Sequence, residues 1–137
     1  MSLTFEQALA QQKAKRKSPS NEEHRIQCSC VRWFNLKYRK LQGRLFAVPN
    51  GGKRDARTAA ILKEEGVVAG VADLILLIPN RFYGALLIEM KTAKGKQSTS
   101  QKQWQKLITE QGEYKYVVCH SLDEFITEVE DYLKYYE

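Results

Sequence analysis

The chain contains two short apolar segments, Asp73-Leu-Ile-Leu-Leu-Ile78 and Tyr83-Gly-Ala-Leu-Leu-Ile-Glu-Met-Lys91, from which its architecture can be worked out. Their branched aliphatic side chains favour strands, and Pro79-Asn80 between them is a turn signal, so together they predict a hairpin. Each segment nevertheless carries an acid, Asp73 in the first and Glu89 in the second. Because a charged group is costly to place beside a core unless it is paired or bound to a metal, these acids indicate a site.

The geometry of a hairpin brings the two acids to one end of the sheet. Side chains alternate faces along a strand, so Glu89 and Lys91 point the same way, about 7 Å apart at a rise of ~3.3 Å per residue. A turn near Asn80 leaves similar lengths of chain back to Asp73 and on to Glu89, and these ends therefore meet. The sequence thus predicts two carboxylates and one ammonium at a single end of the sheet.

The rest of the chain predicts an alternation of helices and strands. Capping and turn signals predict helices over residues 21–41, 54–65, from Ser98 or Ser100 to 111, and from Ser121 onward, with strands over 45–48, 72–78, 83–91 and 114–119. This order predicts an α/β fold with a mixed sheet of about four strands flanked by helices. The last strand–helix–strand unit is expected to cross over in the right-handed sense, which makes its two strands parallel.

Size and composition indicate one domain with its own core. A chain of 137 residues buries enough surface to fold alone, and we expect a basic arm over 1–19 followed by a single domain over 20–137. No apolar run approaches the roughly 20 residues that span a bilayer, and the N-terminus lacks a signal-peptide pattern, so we expect a cytoplasmic protein without membrane contact. The three cysteines, an odd number, favour reduced thiols over disulfides or a zinc site.

Positive charge is concentrated in the N-terminal and central parts of the chain. Residues 1–109 hold 20 of the 22 Lys and Arg but only 8 of the 16 Asp and Glu, whereas residues 110–137 hold 2 and 8. A basic body suggests a polyanionic partner, nucleic acid first, although lysines on a solvated surface would give the same count. The run Lys13-Ala-Lys-Arg-Lys17 is similarly open to two interpretations, an arm that touches phosphate or a solvated tail.

Asp73, Glu89 and Lys91 are residue types that metal-assisted phosphodiester hydrolysis requires. Mg²⁺ and Mn²⁺ take oxygen ligands, and one or two carboxylates with water and phosphate oxygens complete their shell. Such a cation activates water, and a neighbouring lysine stabilises the charge that develops on the phosphate. The alternative is that Glu89 and Lys91 form a solvent-facing pair and that Asp73 caps a turn. The Gly-Val-Ala lead into Asp73 and the basic loop after Lys91 favour the site.

A glycine-rich segment and several cations flank these residues. Asn50-Gly51-Gly52 predicts either a plain turn, since Asn-Gly favours positive φ, or a backbone that approaches a nucleic-acid strand closely. The cations form a candidate phosphate track, which would make binding steeply dependent on salt. They are Lys53, Arg54, Arg57, Lys94, Lys96 and Lys102.

Five segments occur in an order that is more specific than any one of them. They are Glu23-His-Arg-Ile-Gln27, Val48-Pro-Asn-Gly-Gly-Lys53, Gly66-Val-Val-Ala-Gly-Val-Ala-Asp73, Leu87-Ile-Glu-Met-Lys91, and Ser98-Thr-Ser-Gln101 with Trp104. Glu-x-Lys alone is a weak motif, but Gly-x-x-Asp ahead of it and Ser-x-x-Gln behind it strengthen the set. In this order the chain resembles the PD-(D/E)xK nuclease superfamily, and more closely a stand-alone VRR-NUC (virus-type replication-repair nuclease) domain. The resemblance implies a restriction-endonuclease-like core.

The resemblance also implies roles for the charged residues of the predicted hairpin. Asp73 and Glu89 would be the ligands of Mg²⁺ or Mn²⁺, with the backbone carbonyl of Met90 as a third. Lys91 would be the catalytic lysine. These roles agree with the chemistry that the residue types suggest on their own.

The resemblance also implies roles for Glu23 and Gln101, but helix capping is an alternative explanation for the presence of both residues. Glu23 would complete the metal or water shell from the first helix, and Gln101 would position Lys91 or the phosphate. However, each also stands three residues after a serine that can cap a helix, Ser20 or Ser98, where a capping-box residue satisfies the helix terminus. Capping alone would explain both.

The activity expected from the resemblance is that of a divalent-metal-dependent DNA endonuclease. Water would attack a backbone phosphorus, and the 3′-oxygen would leave, with a 5′-phosphate product. Stand-alone members resemble resolvases, so we expect a homodimer that acts on branched DNA, such as Holliday junctions or flaps. The alternatives are an inactive module that binds nucleic acid, and a restriction-type or toxin-type nuclease that needs a partner.

Overall fold

The computed structural model describes Thr4 and residues 19–49 and 55–136. Most of the predicted basic arm and the segment from Asn50 to Arg54 lie outside these ranges. The helices are α1 (Pro19–Lys37), α2 (Ala56–Glu64), α3 (Thr99–Thr109) and α4 (Leu122–Leu133), with a 3₁₀ helix at Arg39–Leu41. The strands are β1 (Leu45–Ala47), β2 (Leu74–Leu76), β3 (Leu86–Met90) and β4 (Lys115–Cys119).

The four strands form one mixed sheet in the order β1-β2-β3-β4. β2 pairs antiparallel with both β1 and β3, whereas β3 and β4 are parallel. The predicted α/β architecture, the hairpin and the parallel pairing across the last crossover are therefore confirmed. Every residue of β3 is buried, as expected for an inner strand covered on both faces.

Helix α1 differs from its prediction at both ends. It begins at Pro19 rather than Asn21, so Ser20 lies inside the helix and is not its N-cap. Proline is favoured at the first helical position because its missing N–H needs no partner there. The helix ends at Lys37 and is followed by the short 3₁₀ helix, a common way for an α-helix to finish.

The other elements are shorter than predicted. The structure confirms the N-cap of α4 and decides between the two predicted N-caps of α3. Ser98 rather than Ser100 caps α3, and Ser121 caps α4, each by accepting a backbone N–H from the third residue after it. Asp55 caps α2 by accepting from Thr58 at 2.7 Å, so the helix begins after it and not at Arg54. Strand β2 covers only Leu74–Leu76, which leaves Asp73 just before the strand.

The core lies between the sheet and the pair of helices α1 and α4. Helix α1 contributes Cys30 and Phe34, and α4 contributes Phe125, Val129 and Tyr132. The acidic C-terminal helix is tied to basic partners on its neighbours by ion pairs of 3.3 Å to Lys37 and 3.6 Å to Lys115. The three cysteines are free thiols, as predicted. No helix in the described ranges is long and apolar enough to cross a membrane.

Candidate active site

The pairing of β2 with β3 brings Asp73 to Glu89, as predicted. Leu74 is paired with Ile88, so the residues one step further out, Asp73 and Glu89, meet at the end of the ladder. Asp73 accepts a hydrogen bond from the backbone N–H of Met90 on its Oδ2 atom, at 2.7 Å. This bond anchors the carboxylate through one oxygen and leaves Oδ1 outside it. Asp73 therefore bonds across the hairpin and does not cap a turn.

Glu89 is completely buried, and each of its carboxylate oxygens accepts a hydrogen bond from a side chain. Gln101 donates its amide to Oε1 at 2.6 Å, and Tyr116 donates its hydroxyl to Oε2 at 2.6 Å. The Nζ atom of Lys91, whose side chain is 13% exposed, lies 3.9 Å from Oε1. The alternative in which Glu89 and Lys91 form a solvent-facing pair is therefore wrong.

The burial of Glu89 sets its protonation. Desolvation raises the pKa of Glu89 to about 7, and the nearby charge of Asp73 acts in the same direction. The hydrogen bond from Tyr116 and the charge of Lys91 oppose the rise without cancelling it. Burial, with the adjoining Glu89 carboxylate, also raises the pKa of Tyr116 and keeps its hydroxyl a donor. Asp73 and Glu89 therefore lie close together, and the positive charge of Lys91 is not enough to offset the cost of ionising Glu89.

Gln101 caps α3, which is one of the two alternatives from the sequence, and its other contact is with Glu89 rather than with Lys91. Its side-chain oxygen accepts from the backbone N–H of Ser98 at 2.7 Å, which completes the capping box of α3. Its side-chain nitrogen donates to Glu89. Because the cap holds the oxygen, the amide presents its NH₂ group to the carboxylate, and capping therefore orients the bond to Glu89.

Gly70 explains why the Gly-x-x-Asp and Ser-x-x-Gln motifs occur together. Its φ of +85° is left-handed, and a Cβ atom there would collide with the carbonyl of Ser100 and lie 2.9 Å from the backbone nitrogen of Gln101. Only glycine lets the loop before Asp73 lie this close to the first turn of α3. The contact fixes the helix that carries Gln101 against the segment that carries Asp73.

Tyr116 is a site residue that the sequence did not reveal. It lies on β4, where Val118 is paired with Glu89, and alternation places Tyr116 on the same face two residues away. Gln97 donates to its hydroxyl at 3.4 Å, and the ring of Trp104 packs against it with centroids 6.2 Å apart. The available signal was that Tyr116, a polar aromatic residue, lies two positions before Val118, the partner of Glu89. Using that signal required knowledge of the parallel register.

A large open cavity adjoins this group on the side of α1. It has a volume of about 1160 Å³, and Glu23, Asp73 and Met90 are among the residues that line it. Glu23 is half-buried on α1 and is not in a Ser20 capping box, because the helix begins upstream at Pro19. Glu89 and Lys91 are not in the cavity wall. The structure therefore brings Glu23 to the same cavity as Asp73 but does not place Glu89 in that cavity.

A VRR-NUC domain model matches residues 9–123 of the sequence. The chain belongs to the VRR-NUC domain family. Among solved structures, a VRR_NUC domain protein is similar, with 28% sequence identity and a TM-score of 0.70 over 82% of this chain and 88% of that one. No curated protein matches the chain. VRR-NUC domains are nucleases of the PD-(D/E)xK superfamily, and the mixed sheet with its flanking helices is a restriction-endonuclease-like fold.

The oxygen atoms at the centre of this VRR-NUC domain suit a hard divalent cation. Among the residues that the structure describes, no three His, Cys, Asp or Glu side chains are arranged to hold a metal ion. Mg²⁺ and Mn²⁺, however, need only one or two carboxylates, with waters and a substrate phosphate. Asp73 and Glu89 provide these, and the raised pKa of Glu89 shows that ionising it in its buried position beside Asp73 is unfavourable, a cost that a bound cation would offset. The donor set therefore fits the metal that the family implies.

The predicted phosphate track is only partly within the described residues. Lys94 and Lys96 are exposed in the loop after β3, and Lys102 is exposed on α3 beside Gln101. None of these lysines lines the cavity. Arg57 is exposed on α2, and the remaining predicted contacts with nucleic acid lie outside the described ranges: Asn50, Gly51, Gly52, Lys53 and Arg54.

Proposed function

We propose that this protein is a divalent-metal-dependent DNA endonuclease with Asp73, Glu89 and Lys91 at its active centre. The observation that carries the proposal is the pairing that sets Asp73 beside the buried Glu89, with Lys91 directly after the same strand. A buried acid beside a second acid is expensive unless something positive joins them. The VRR-NUC family to which the chain belongs supplies the reaction class.

The residues of the chain divide the work of phosphodiester hydrolysis. A bound Mg²⁺ or Mn²⁺ would supply the positive charge that activates water and polarises the phosphate. Asp73, fixed by the Met90 amide, and Glu89, fixed by Gln101 and Tyr116, would hold that cation, with the Met90 carbonyl as a further ligand. Lys91 would stabilise the negative charge that grows on the phosphate oxygens as the 3′-oxygen leaves.

Glu23 would act from helix α1, on the cavity that it lines together with Asp73. Its carboxylate lines the same space as Asp73, so it can orient the attacking water or an outer-shell water of the cation. Lys94, Lys96 and Lys102 would bind substrate phosphates beyond Lys91, together with the segment from Asn50 to Arg54. Backbone contacts of this kind position DNA without reading its sequence.

Branched DNA, such as a four-way junction or a flap, is the substrate we propose, with a homodimer as the active form. Paired cuts across a junction need two active sites, which two copies of the chain would supply. The experiment is cleavage of labelled single-stranded, duplex, flap and junction DNA in Mg²⁺, in Mn²⁺ and in EDTA, with light scattering of the DNA-bound protein. Junctions or flaps cut first by a dimer would support the proposal, and a monomeric complex would refute the dimer.

One observation favours the alternative of an inactive module that binds nucleic acid. Both carboxylate oxygens of Glu89 already accept hydrogen bonds from protein side chains, which resembles a structural buried acid. Against it stands the complete set of Asp73, Glu89 and Lys91. Tight binding of DNA with no cleavage in either metal would favour the inactive module.

A further inference from the structure

The cavity beside Asp73 continues as a long groove along α1, which we call the α1 groove. One wall is a row of α1 side chains spaced four residues apart, from Glu23 through Gln27 and Val31 to Asn35, and it continues to Gln42. Residues 47–49, at the end of β1 beside Asp73, also line the groove. From Glu23 to Asn35 the helix rises about 18 Å at ~1.5 Å per residue, so the groove extends well beyond the acidic residues.

Charge changes sign along the α1 groove. Among the described residues, the acids that line it are Glu23, near the start of α1, and Asp73, which bonds Met90; we call this part the inner end. Two arginines, Arg32 and Arg39, line the part further along α1, and both are exposed. Neither forms an ion pair with any residue that the structure describes. Exposed guanidinium groups on the wall of a groove are suited to bind phosphate, because their planar donors match its oxygens.

Apolar side chains and amides lie among these charged residues of the groove. Leu36 is 62% exposed, a large fraction for leucine, and Val48, whose backbone N–H bonds the carbonyl of Asp73, adds apolar surface at the other end. Gln27 and Asn35 supply amides that can both donate and accept. Duplex DNA shows mainly phosphates to a protein wall, whereas an unpaired strand shows base faces and base edges, which need apolar surface and amides.

We propose that the α1 groove binds an unpaired nucleic-acid strand that leads to the scissile phosphate, with Arg32 and Arg39 on its phosphates. At the ~3.4 Å rise of stacked nucleotides, the groove holds about five of them. A second copy of the chain is a poorer occupant, because its net charge of +6 would oppose the two arginines. The inference depends on the proposed function at one point only, which is that DNA is cleaved at the inner end of the groove.

The test compares two double variants on the same helical segment. R32Q/R39Q removes both groove arginines, and R25Q/K40Q removes two exposed cations of the same segment that do not line the groove. Net charge falls equally in both. Fluorescence anisotropy in EDTA measures the binding of a short single strand and of a blunt duplex of the same sequence, over a range of salt.

R32Q/R39Q is expected to bind the single strand at least about tenfold more weakly, with a salt slope lower by about 1.4, since each phosphate contact contributes about 0.7. Its affinity for the duplex should change less, and R25Q/K40Q should bind the single strand nearly as the wild type does. Equal losses in the two double variants would overturn the proposal, because they would reflect net charge alone. If R32Q/R39Q bound the single strand as the wild type does but had a lower mass in light scattering, the groove would instead bind a second copy of the chain.

The binding assay also separates this inference from the proposed function, because binding in EDTA requires no catalysis. A wild type that cuts no DNA in either metal, while R32Q/R39Q alone loses single-strand binding, would refute the nuclease and support the groove. A wild type that cuts DNA, together with an R32Q/R39Q variant that binds and cuts equally well, would refute the groove and leave the nuclease standing.

Discussion

Gln101 donates its side-chain amide to the buried carboxylate of Glu89 over 2.6 Å. The same side chain accepts from the backbone of Ser98 and caps α3, so the start of a helix and the orientation of a buried acid depend on one residue. We therefore expect a change in the hydrogen-bonding character of this side chain to affect cleavage more than folding.

Replacing Gln101 by Glu tests this separation. The variant retains an oxygen for the Ser98 N–H but loses the donor to Glu89 and adds a repelling charge. We expect Gln101→Glu to fold and to lose about 10–100-fold in metal affinity or activity, the usual cost of disturbing a residue that orients a ligand. Titration of cleavage with Mn²⁺ measures it, with Gln103→Glu on the exposed side of α3 as control. Equal activity of the two variants would contradict the positioning role.

Tyr116 should matter as much as Gln101 for metal binding, although it lies on β4 and Gln101 lies on α3. Tyr116→Phe leaves Oε2 of Glu89 buried without its donor, which should cost about 1–3 kcal/mol of stability and about 10–100-fold in metal affinity. Denaturant unfolding and Mn²⁺ calorimetry measure the two effects. The control is Tyr114→Phe, since Tyr114 is more exposed on the same segment. A loss of stability with unchanged metal affinity would make Tyr116 a structural residue only.

Gly70 should tolerate no side chain, and Gly112 is the control that separates backbone strain from the collision with α3. Both have a left-handed backbone, with φ of +85° and +73°, but a Cβ atom at Gly112 meets nothing within 4 Å. Gly112→Ala should therefore show the left-handed strain alone, about 1–2 kcal/mol. Gly70→Ala should cost about 1–3 kcal/mol more, because the new methyl group displaces the backbone of Ser100. Similar unfolding free energies for the two variants would show that the contact with α3 is unimportant.

The pH dependence of stability follows from the raised pKa of Glu89. Desolvation raises it from 4.5 to about 7, so the folded state holds this proton more tightly than the unfolded state does. The contribution is fully present below pH 4.5 and is lost as the pH rises through about 7. In EDTA, the melting temperature should fall over this window, and Glu89→Gln should flatten the fall. A wild-type profile that matches Glu89→Gln would contradict the assignment.

The sequence predicts the hairpin part of the site because that part is local. Alternation along β3 and the turn after Ile78 fix which residues face Asp73, and the register agrees with the prediction. Capping chemistry similarly locates Ser98 and, with it, Gln101. These elements depend on neighbours within a few residues or across one short turn, which a sequence pattern records.

The parts that the sequence did not reveal depend on long-range packing. Tyr116 meets Glu89 across 27 residues, through a crossover whose register no local pattern sets. The same packing of α3 buries Glu89 completely, although alternation left open whether its face would meet solvent. The start of α1 at Pro19 was missed because Ser20 offered a more familiar cap.

Cleavage of labelled junction and flap DNA by Asp73→Asn and Lys91→Ala, beside the wild type and Lys106→Ala, tests the central claim most directly. The Asp73→Asn side chain would keep an acceptor for the Met90 amide while losing the charge, and Lys106 is an exposed lysine of α3 outside the site. We predict cleavage that EDTA abolishes, that the two site variants lose by at least about 10²-fold, or about 2.7 kcal/mol, and that Lys106→Ala retains. Wild-type rates in Asp73→Asn, or cleavage that survives EDTA, would contradict the assignment of a metal-dependent centre at Asp73 and Lys91.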